Sequence, residues 1–114
     1  MLITNNQNGV LVVKFNDTNR LNALIAEPVK EELKSYFSTP NTKLVLSLEG
    51  IHFIDSTGFG VFLSVMKTAN NNYGAFKISD ISDDVMELFK LLQLHNVFEI
   101  YNTADEAVES FRKK

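Results

Sequence analysis

The stretch from residue 44 to residue 48 reads Leu-Val-Leu-Ser-Leu, and this nearly continuous apolar run constrains the fold more than any other feature of the chain. A strand with one solvated face alternates apolar and polar residues, whereas this run is apolar at positions that point to both faces. Such strands lie in the middle of largely parallel sheets whose two faces are both covered. We therefore expect residues 44–48 to form the central strand of an α/β protein.

Amphipathic helices separate this strand from other strand-like segments. The strongest helical pattern follows Ser82 and two aspartates, where Val85, Leu88, Phe89 and Leu92 recur at positions i, i+3, i+4 and i+7. A similar apolar stripe starts at residue 59, and a Thr-x-x-Glu capping box starts at residue 103. The sequence predicts strands at 2–4, 10–15, 44–48, 75–78 and 97–101. It predicts helices after 58, 82 and 103 and a further helix around Pro28. Proline suits a first helical turn, and this helix should end before Pro40.

Strands that are joined through helices need crossover connections, which are right-handed and pair the strands in parallel. The first two strands are joined by an Asn-rich turn at Gly9 and are expected to form an antiparallel hairpin. We therefore predict an α/β fold over residues 1–114 as one domain. It has the element order ββαβαβαβα and a mixed, mostly parallel sheet of about five strands with helices packed on it.

The charge pattern and the lack of cysteine exclude several classes of function. The chain has no cysteine, which excludes disulfide frameworks and thiolate metal sites. Its net charge is −3, and its basic residues are scattered except at the C-terminus, so no basic stripe is available for nucleic acid. No signal-peptide pattern and no run of about 18 apolar residues occurs. We expect a cytoplasmic protein that neither inserts into membranes nor binds nucleic acid.

The segment that leads into the second predicted helix reads Asp-Ser-Thr-Gly-Phe-Gly at positions 55–60. One interpretation is structural, with Asp55, Ser56 or Thr57 as the N-cap of the helix. A functional interpretation starts from Gly58 and Gly60. Each glycine costs a helix about 1 kcal/mol relative to alanine, which indicates close approach by another backbone or by a ligand. A phosphate on Ser56 would also be stabilised at the positive end of the helix.

Catalysis by the same serine has little support in the sequence. The Gly-x-Ser-x-Gly nucleophile elbow is absent, and no recognisable triad contains either of the two histidines, His52 and His95. Two isolated histidines without cysteines or a carboxylate cluster do not make a metal site at any usual spacing. The glycine-rich loops that hold nucleotides are absent as well. We predict a protein that is not an enzyme and that needs no metal or other cofactor.

The sequence of residues 44–61 resembles the signature of the STAS domain, as found in bacterial anti-sigma factor antagonists. The resemblance rests on the apolar strand Leu-Val-Leu-Ser-Leu-Glu at 44–49 and on Ile-His-Phe-Ile-Asp-Ser-Thr-Gly-Phe-Gly-Val at 51–61. The length, the predicted order of elements and the late helix around residues 85–89 also fit this family. The resemblance therefore extends over the whole chain and implies the STAS fold.

The resemblance implies a non-catalytic phosphoswitch that regulates transcription. Such antagonists bind an anti-sigma factor that is also a GHKL-type serine kinase, and phosphorylation of a serine ends the binding. A PP2C-type phosphatase restores it. Carried over, the phosphorylation site is Ser56, with Thr57 as the second choice. The partner-binding surface is expected to comprise Asn19, Arg20, Leu21, Asn22, Asp55, Ser56, Thr57, Gly58, Phe59 and Gly60.

One segment departs from the family pattern. Residues 19–22 read Asn-Arg-Leu-Asn, whereas the family often has Gly-x-Leu-Asp after its second strand. Asn22 thus stands where an acid is common, and Arg20 adds a positive charge, so the identity of the partner stays open. Other STAS proteins are subunits of lipid or ABC-transport machinery or of larger signalling assemblies without a phosphorylation cycle, and this remains the alternative.

Overall fold

A β-hairpin opens the chain in the computed structural model, which describes residues 1–112. Strands β1 (Leu2–Gln7) and β2 (Val10–Phe15) pair antiparallel. Asn8 and Gly9 connect them with φ angles of 55° and 84°, a pair of positive values typical of the type I′ turn that suits the twist of a hairpin. The predicted hairpin is confirmed. Its first strand is longer than predicted, because most of the Asn-rich stretch pairs with β2 and only two residues form the turn.

The remaining elements follow the predicted order, with two short strands added. The added strands, β3 and β5, were not predicted because two residues carry no periodicity. The elements after the hairpin are β3 (Arg20–Leu21), α1 (Ala23–Tyr36), β4 (Lys43–Ser47), β5 (Phe53–Ile54), α2 (Ser56–Asn71), β6 (Ala75–Ser79), α3 (Asp83–Leu91), β7 (Glu99–Tyr101) and α4 (Ala104–Ser110).

The main sheet has five strands in the order β1-β2-β4-β6-β7, and all its pairs except the hairpin are parallel. The predicted fold class is confirmed, and β4 is the central strand. Leu44 and Leu46 pack into the large core that α1, α2 and α3 cover, whereas Val45 packs into a smaller core beneath α4. Both faces of β4 are therefore buried, which explains its apolar sequence.

Helix α1 begins earlier than predicted. The side chain of Asn22 accepts a hydrogen bond from the backbone N–H of Leu24 at 3.1 Å and caps the helix, so the first helical residue is Ala23. Pro28 consequently lies inside the helix and not in its first turn. The predicted end before Pro40 is confirmed, since α1 ends at Tyr36.

Two other helix starts agree with the sequence. Ser82 accepts a hydrogen bond from the N–H of Val85 at 3.2 Å, and Thr103 accepts one from the N–H of Glu106 at 3.1 Å. These caps fix α3 and α4 where the polar residue before each apolar stripe predicted them.

Candidate functional site

A short parallel pair of strands brings the two predicted surface segments together. β3 and β5 pair in register, and the backbone N–H of His52 donates to the carbonyl of Asn19 at 2.8 Å. The N–H of Asp55 donates to the carbonyl of Leu21 at 3.2 Å. The loop before α1 is thereby tied to the loop before α2. The structure thus places residues 19–22 beside residues 52–55.

The carboxylate of Asp55 accepts hydrogen bonds from the first turns of two helices. Its Oδ1 accepts a hydrogen bond from the N–H of Gly58 at 2.8 Å, and this bond is the N-cap of α2. Its Oδ2 accepts one from the N–H of Ala23, the first residue of α1, at 3.0 Å. Asp55 is therefore the structural N-cap among the three candidate residues. Because one side chain holds both starts, α1 and α2 begin side by side.

Gly58 is required by internal packing. A Cβ atom added at this position would lie 2.7 Å from the carbonyl oxygen of Leu21 and 2.7 Å from Cγ2 of Ile54. Both distances are too short for any side chain, and one of the two neighbours is backbone that is held by the β3–β5 pair. The sequence left two explanations for the glycine, close approach by another backbone or by a ligand, and the first one accounts for Gly58.

Gly60 is different, because nothing in the fold requires it. A Cβ atom added there would have no neighbour within 4 Å among the described residues, and its φ angle is not positive. Alanine would fit and would favour the helix by about 1 kcal/mol. The fold therefore carries the cost of this glycine without a compensating contact inside residues 1–112.

Ser56 and Thr57 occupy the first two positions of α2, and both are exposed. Within residues 1–112 neither hydroxyl forms a hydrogen bond, and the N–H groups of these two residues also lack partners. An unbonded hydroxyl beside free N–H groups at a helix N-terminus can be modified, and the product anion has donors in place.

The predicted surface residues fall into an outward and an inward set. Exposed or half-buried are Asn19, Arg20, Asn22, Asp55, Ser56, Thr57 and Gly60. Leu21, Gly58 and Phe59 lie inward, and the exposed fractions of Leu21 and Phe59 are 0% and 3%. The side chains of Leu21 and Phe59 belong to the core beneath the surface, so the exposed part of the predicted surface consists of the outward set.

The inward position of Phe59 follows from aromatic packing. Its ring lies edge-on to Phe62 at a centroid distance of 6.0 Å and to Phe89 of α3 at 4.9 Å. Such pairs add stability beyond the area they bury. Three phenylalanines lie around this loop, Phe53, Phe59 and Phe62, and of these only Phe53 is exposed, at 48%.

Sequence reasoning missed Leu24, which is 87% exposed beside the loop. It is the second residue of α1, next to the Ala23 N–H that Asp55 binds. The exposure of this leucine could be recognised from the sequence only if the start of the helix were known. The asparagine at position 22 was the available signal, since asparagine is a preferred N-cap.

Two negative findings apply to the described part of the chain. No group of three or more histidine, aspartate or glutamate side chains within residues 1–112 could hold a metal ion. In the same residues, no helix combines the length and the apolar character that crossing a bilayer would require.

The fold and the loop together define a small α/β domain that presents an exposed serine at the start of a helix. The model of the STAS domain family matches residues 2–107, so the chain belongs to this family. A relative from Listeria monocytogenes, an anti-sigma-B factor antagonist, is 30% identical over 86 residues, which are 75% of each chain.

Solved structures share the fold across proteins with different roles. A STAS domain protein from Planctomyces limnophilus has a TM-score of 0.90 at 19% identity over 98% of both chains. Phosphorylated SpoIIAA, a Bacillus cell fate determinant, has a TM-score of 0.70 at 17% identity over 98% of this chain and 100% of its own. A sulfate transporter family protein from Wolinella succinogenes has a TM-score of 0.72 at 14% identity over 93% and 87%. At these identities the likeness shows the fold alone.

Proposed function

We propose that this protein is an anti-sigma factor antagonist that acts in the cytoplasm as a phosphoswitch. In its unphosphorylated form it binds an anti-sigma factor that has GHKL-type serine kinase activity, and phosphorylation of Ser56 releases it. A PP2C-type phosphatase returns it to the binding form. The observation that carries this proposal is the exposed Ser56 hydroxyl, which forms no hydrogen bond within residues 1–112.

The covalent step takes place on the partner. Ser56 Oγ attacks the γ-phosphorus of ATP, the bond from that phosphorus to the bridging oxygen breaks, and ADP leaves. A base of the kinase takes the hydroxyl proton. The product carries about −1.5 to −2 charges, and the N–H groups of Ser56 and Thr57 can donate to it without any change in the fold.

Release follows from the cost of burying that charge. The adjacent carboxylate of Asp55 repels a dianion. A partner surface that is complementary to the neutral serine also lacks a cation to pair with the phosphate. Burying a charge without a partner makes the free energy of binding less favourable by several kcal/mol, about the size that a switch needs. The surface itself stays unchanged, because Asp55 and the β3–β5 pair hold both loops in place.

The modification is tested by incubating the protein with ATP and the serine-kinase anti-sigma factor of the same organism. We expect one added phosphate, which mass spectrometry locates at Ser56. Ser56→Ala should abolish phosphorylation. Thr57→Ala, which removes the neighbouring hydroxyl and is the matched control, should still be phosphorylated. Phosphate on Thr57, or none from a kinase that is active on another substrate, would overturn the assignment.

The switch is tested by binding. Ser56→Asp and Ser56→Glu should weaken binding to the anti-sigma factor at least tenfold, which corresponds to about 1.4 kcal/mol. Ser56→Asn, which has a side chain like that of aspartate without the charge, serves as the control and should bind within a few-fold of the wild type. Circular dichroism should show the same fold for all variants. Undiminished affinity of the phosphorylated protein would contradict the switch.

A second candidate is a constitutive subunit of a transporter or signalling assembly. The fold is compatible with this role, because a sulfate transporter family protein has the same fold. In that case a partner would bind the wild type and the acidic variants of Ser56 equally well. A kinase or phosphatase gene beside this gene supports the first function, and an ABC-transporter operon supports the second.

A further inference from the structure

The groove between α1 and α2 runs away from the Ser56 loop. It has a volume of about 290 Å³, and Gly60 lies on it together with Ala26, Glu27, Lys30, Thr57 and Ser64. Engineered cavities of about 150 Å³ hold a benzene molecule, so this groove has room for one large side chain. Thr57 belongs both to this groove and to the Ser56 surface, which makes the two continuous.

We propose that this groove receives an apolar side chain of the anti-sigma factor, and that Gly60 is a glycine in order to leave room for it. The inference rests on the proposed function and extends its binding surface along α2. Its basis is the contrast between two glycines of one helix. Gly58 is explained by neighbours at 2.7 Å, whereas an added Cβ at Gly60 meets nothing within 4 Å.

The groove has an apolar floor and a polar rim that includes Glu27, Lys30, Thr57 and Ser64, and the floor indicates an apolar occupant. Ala26 and Val61 are buried at 4% and 2% exposure and form a floor of carbon atoms with Gly60. The charged groups at the rim already neutralise each other, because Lys30 Nζ lies 3.1 Å from Glu27 Oε1. No unpaired charge of the described groove residues is therefore left to attract an ion or a charged side chain.

Each of the two helices also has an exposed leucine within one turn of a groove residue, although neither leucine lines the groove itself. Leu24 lies one turn before Glu27 on α1, and Leu63 lies one turn after Gly60 on α2, with exposed fractions of 87% and 40%. Burial of such residues against a partner is favourable, and a well-packed apolar anchor is typical of the centre of an interface. A phosphate on Ser56 would then stand at the margin of an apolar contact.

Two substitutions at Gly60 separate binding from stability. Gly60→Ala should raise the melting temperature by about 4 °C or more, since the helix gains and nothing clashes. Gly60→Leu should fill the groove and raise the Kd for the anti-sigma factor at least tenfold in calorimetry, with no loss of melting temperature. Asn71→Leu adds the same side chain to the exposed last turn of α2, outside the groove, and should bind within about twofold of the wild type.

The outcomes distinguish this inference from the proposed function. Wild-type binding and phosphorylation at Ser56 together with full binding by Gly60→Leu would leave the phosphoswitch standing and overturn the groove contact. A lower melting temperature of Gly60→Ala would also overturn it, because the glycine would then serve the fold. Equal losses for Gly60→Leu and Asn71→Leu would show a general effect of added leucine. If the wild type neither binds nor is phosphorylated, both proposals fall.

Discussion

The first turns of α2 have two sides that differ in what holds them. On the inward side, Gly58 touches the backbone of Leu21 and Phe59 packs on the ring of Phe89. On the outward side, Ser56 and Gly60 have no such contacts among the described residues. Residues with many contacts are explained by the fold. Residues without such contacts are available to bind another molecule. This difference predicts which substitutions affect stability.

The largest effect is expected for Phe59→Ala. Removing a fully packed aromatic side chain leaves a cavity among Phe62 and Phe89 and should lower the free energy of unfolding by about 3–5 kcal/mol. Phe53→Ala is the matched control, because Phe53 is 48% exposed and should cost well below half as much. Denaturant melts measure both. Similar losses for the two variants would contradict the division into an inward and an outward side.

Gly58→Ala should come next, with a loss of about 1–3 kcal/mol. Alanine favours helix, but its Cβ would meet the Leu21 carbonyl at 2.7 Å, so the β3–β5 pair would have to shift. The same change at Gly60 should be stabilising. Opposite signs for the two glycine variants in thermal melts would sharpen the comparison, and equal signs would break it.

Asp55→Ala removes the cap of α2 and the bond to α1 together. Because a lost cap costs about 0.5–2 kcal/mol, we expect a destabilisation of about 2 kcal/mol. Asp55→Asn keeps one side-chain oxygen and should lose less. Amide hydrogen exchange should localise the effect to the first turns of both helices, and an effect confined to α2 would show that the Ala23 bond contributes nothing.

The smallest effect is expected for Ser56→Ala, which should change the free energy of unfolding by no more than about 0.5 kcal/mol. Its hydroxyl forms no hydrogen bond within residues 1–112, and alanine is the better helix former. A loss above 1 kcal/mol in a urea melt would place this serine among the residues that hold the fold.

Most of the fold could be predicted from the sequence because its signals are local. The apolar run at 44–48 identified the central strand, and the caps at Ser82 and Thr103 located two helix starts. The start of α1 was misplaced because Pro28 was interpreted as a residue of the first helical turn, whereas the N-cap is Asn22. The strands β3 and β5 escaped prediction because each has only two residues and depends on the other for its hydrogen bonds.

The sequence by itself determined the alternation of strands and helices, the absence of thiol chemistry and the position of the Ser56 segment at a helix start. Period and capping depend on residues within about one helical turn, so they can be read along the chain. Only the tertiary structure decided which of two similar glycines faces inward. That choice depends on the Leu21 carbonyl and the Ile54 side chain, which approach Gly58 because β3 pairs with β5 and because Asp55 holds two helices together.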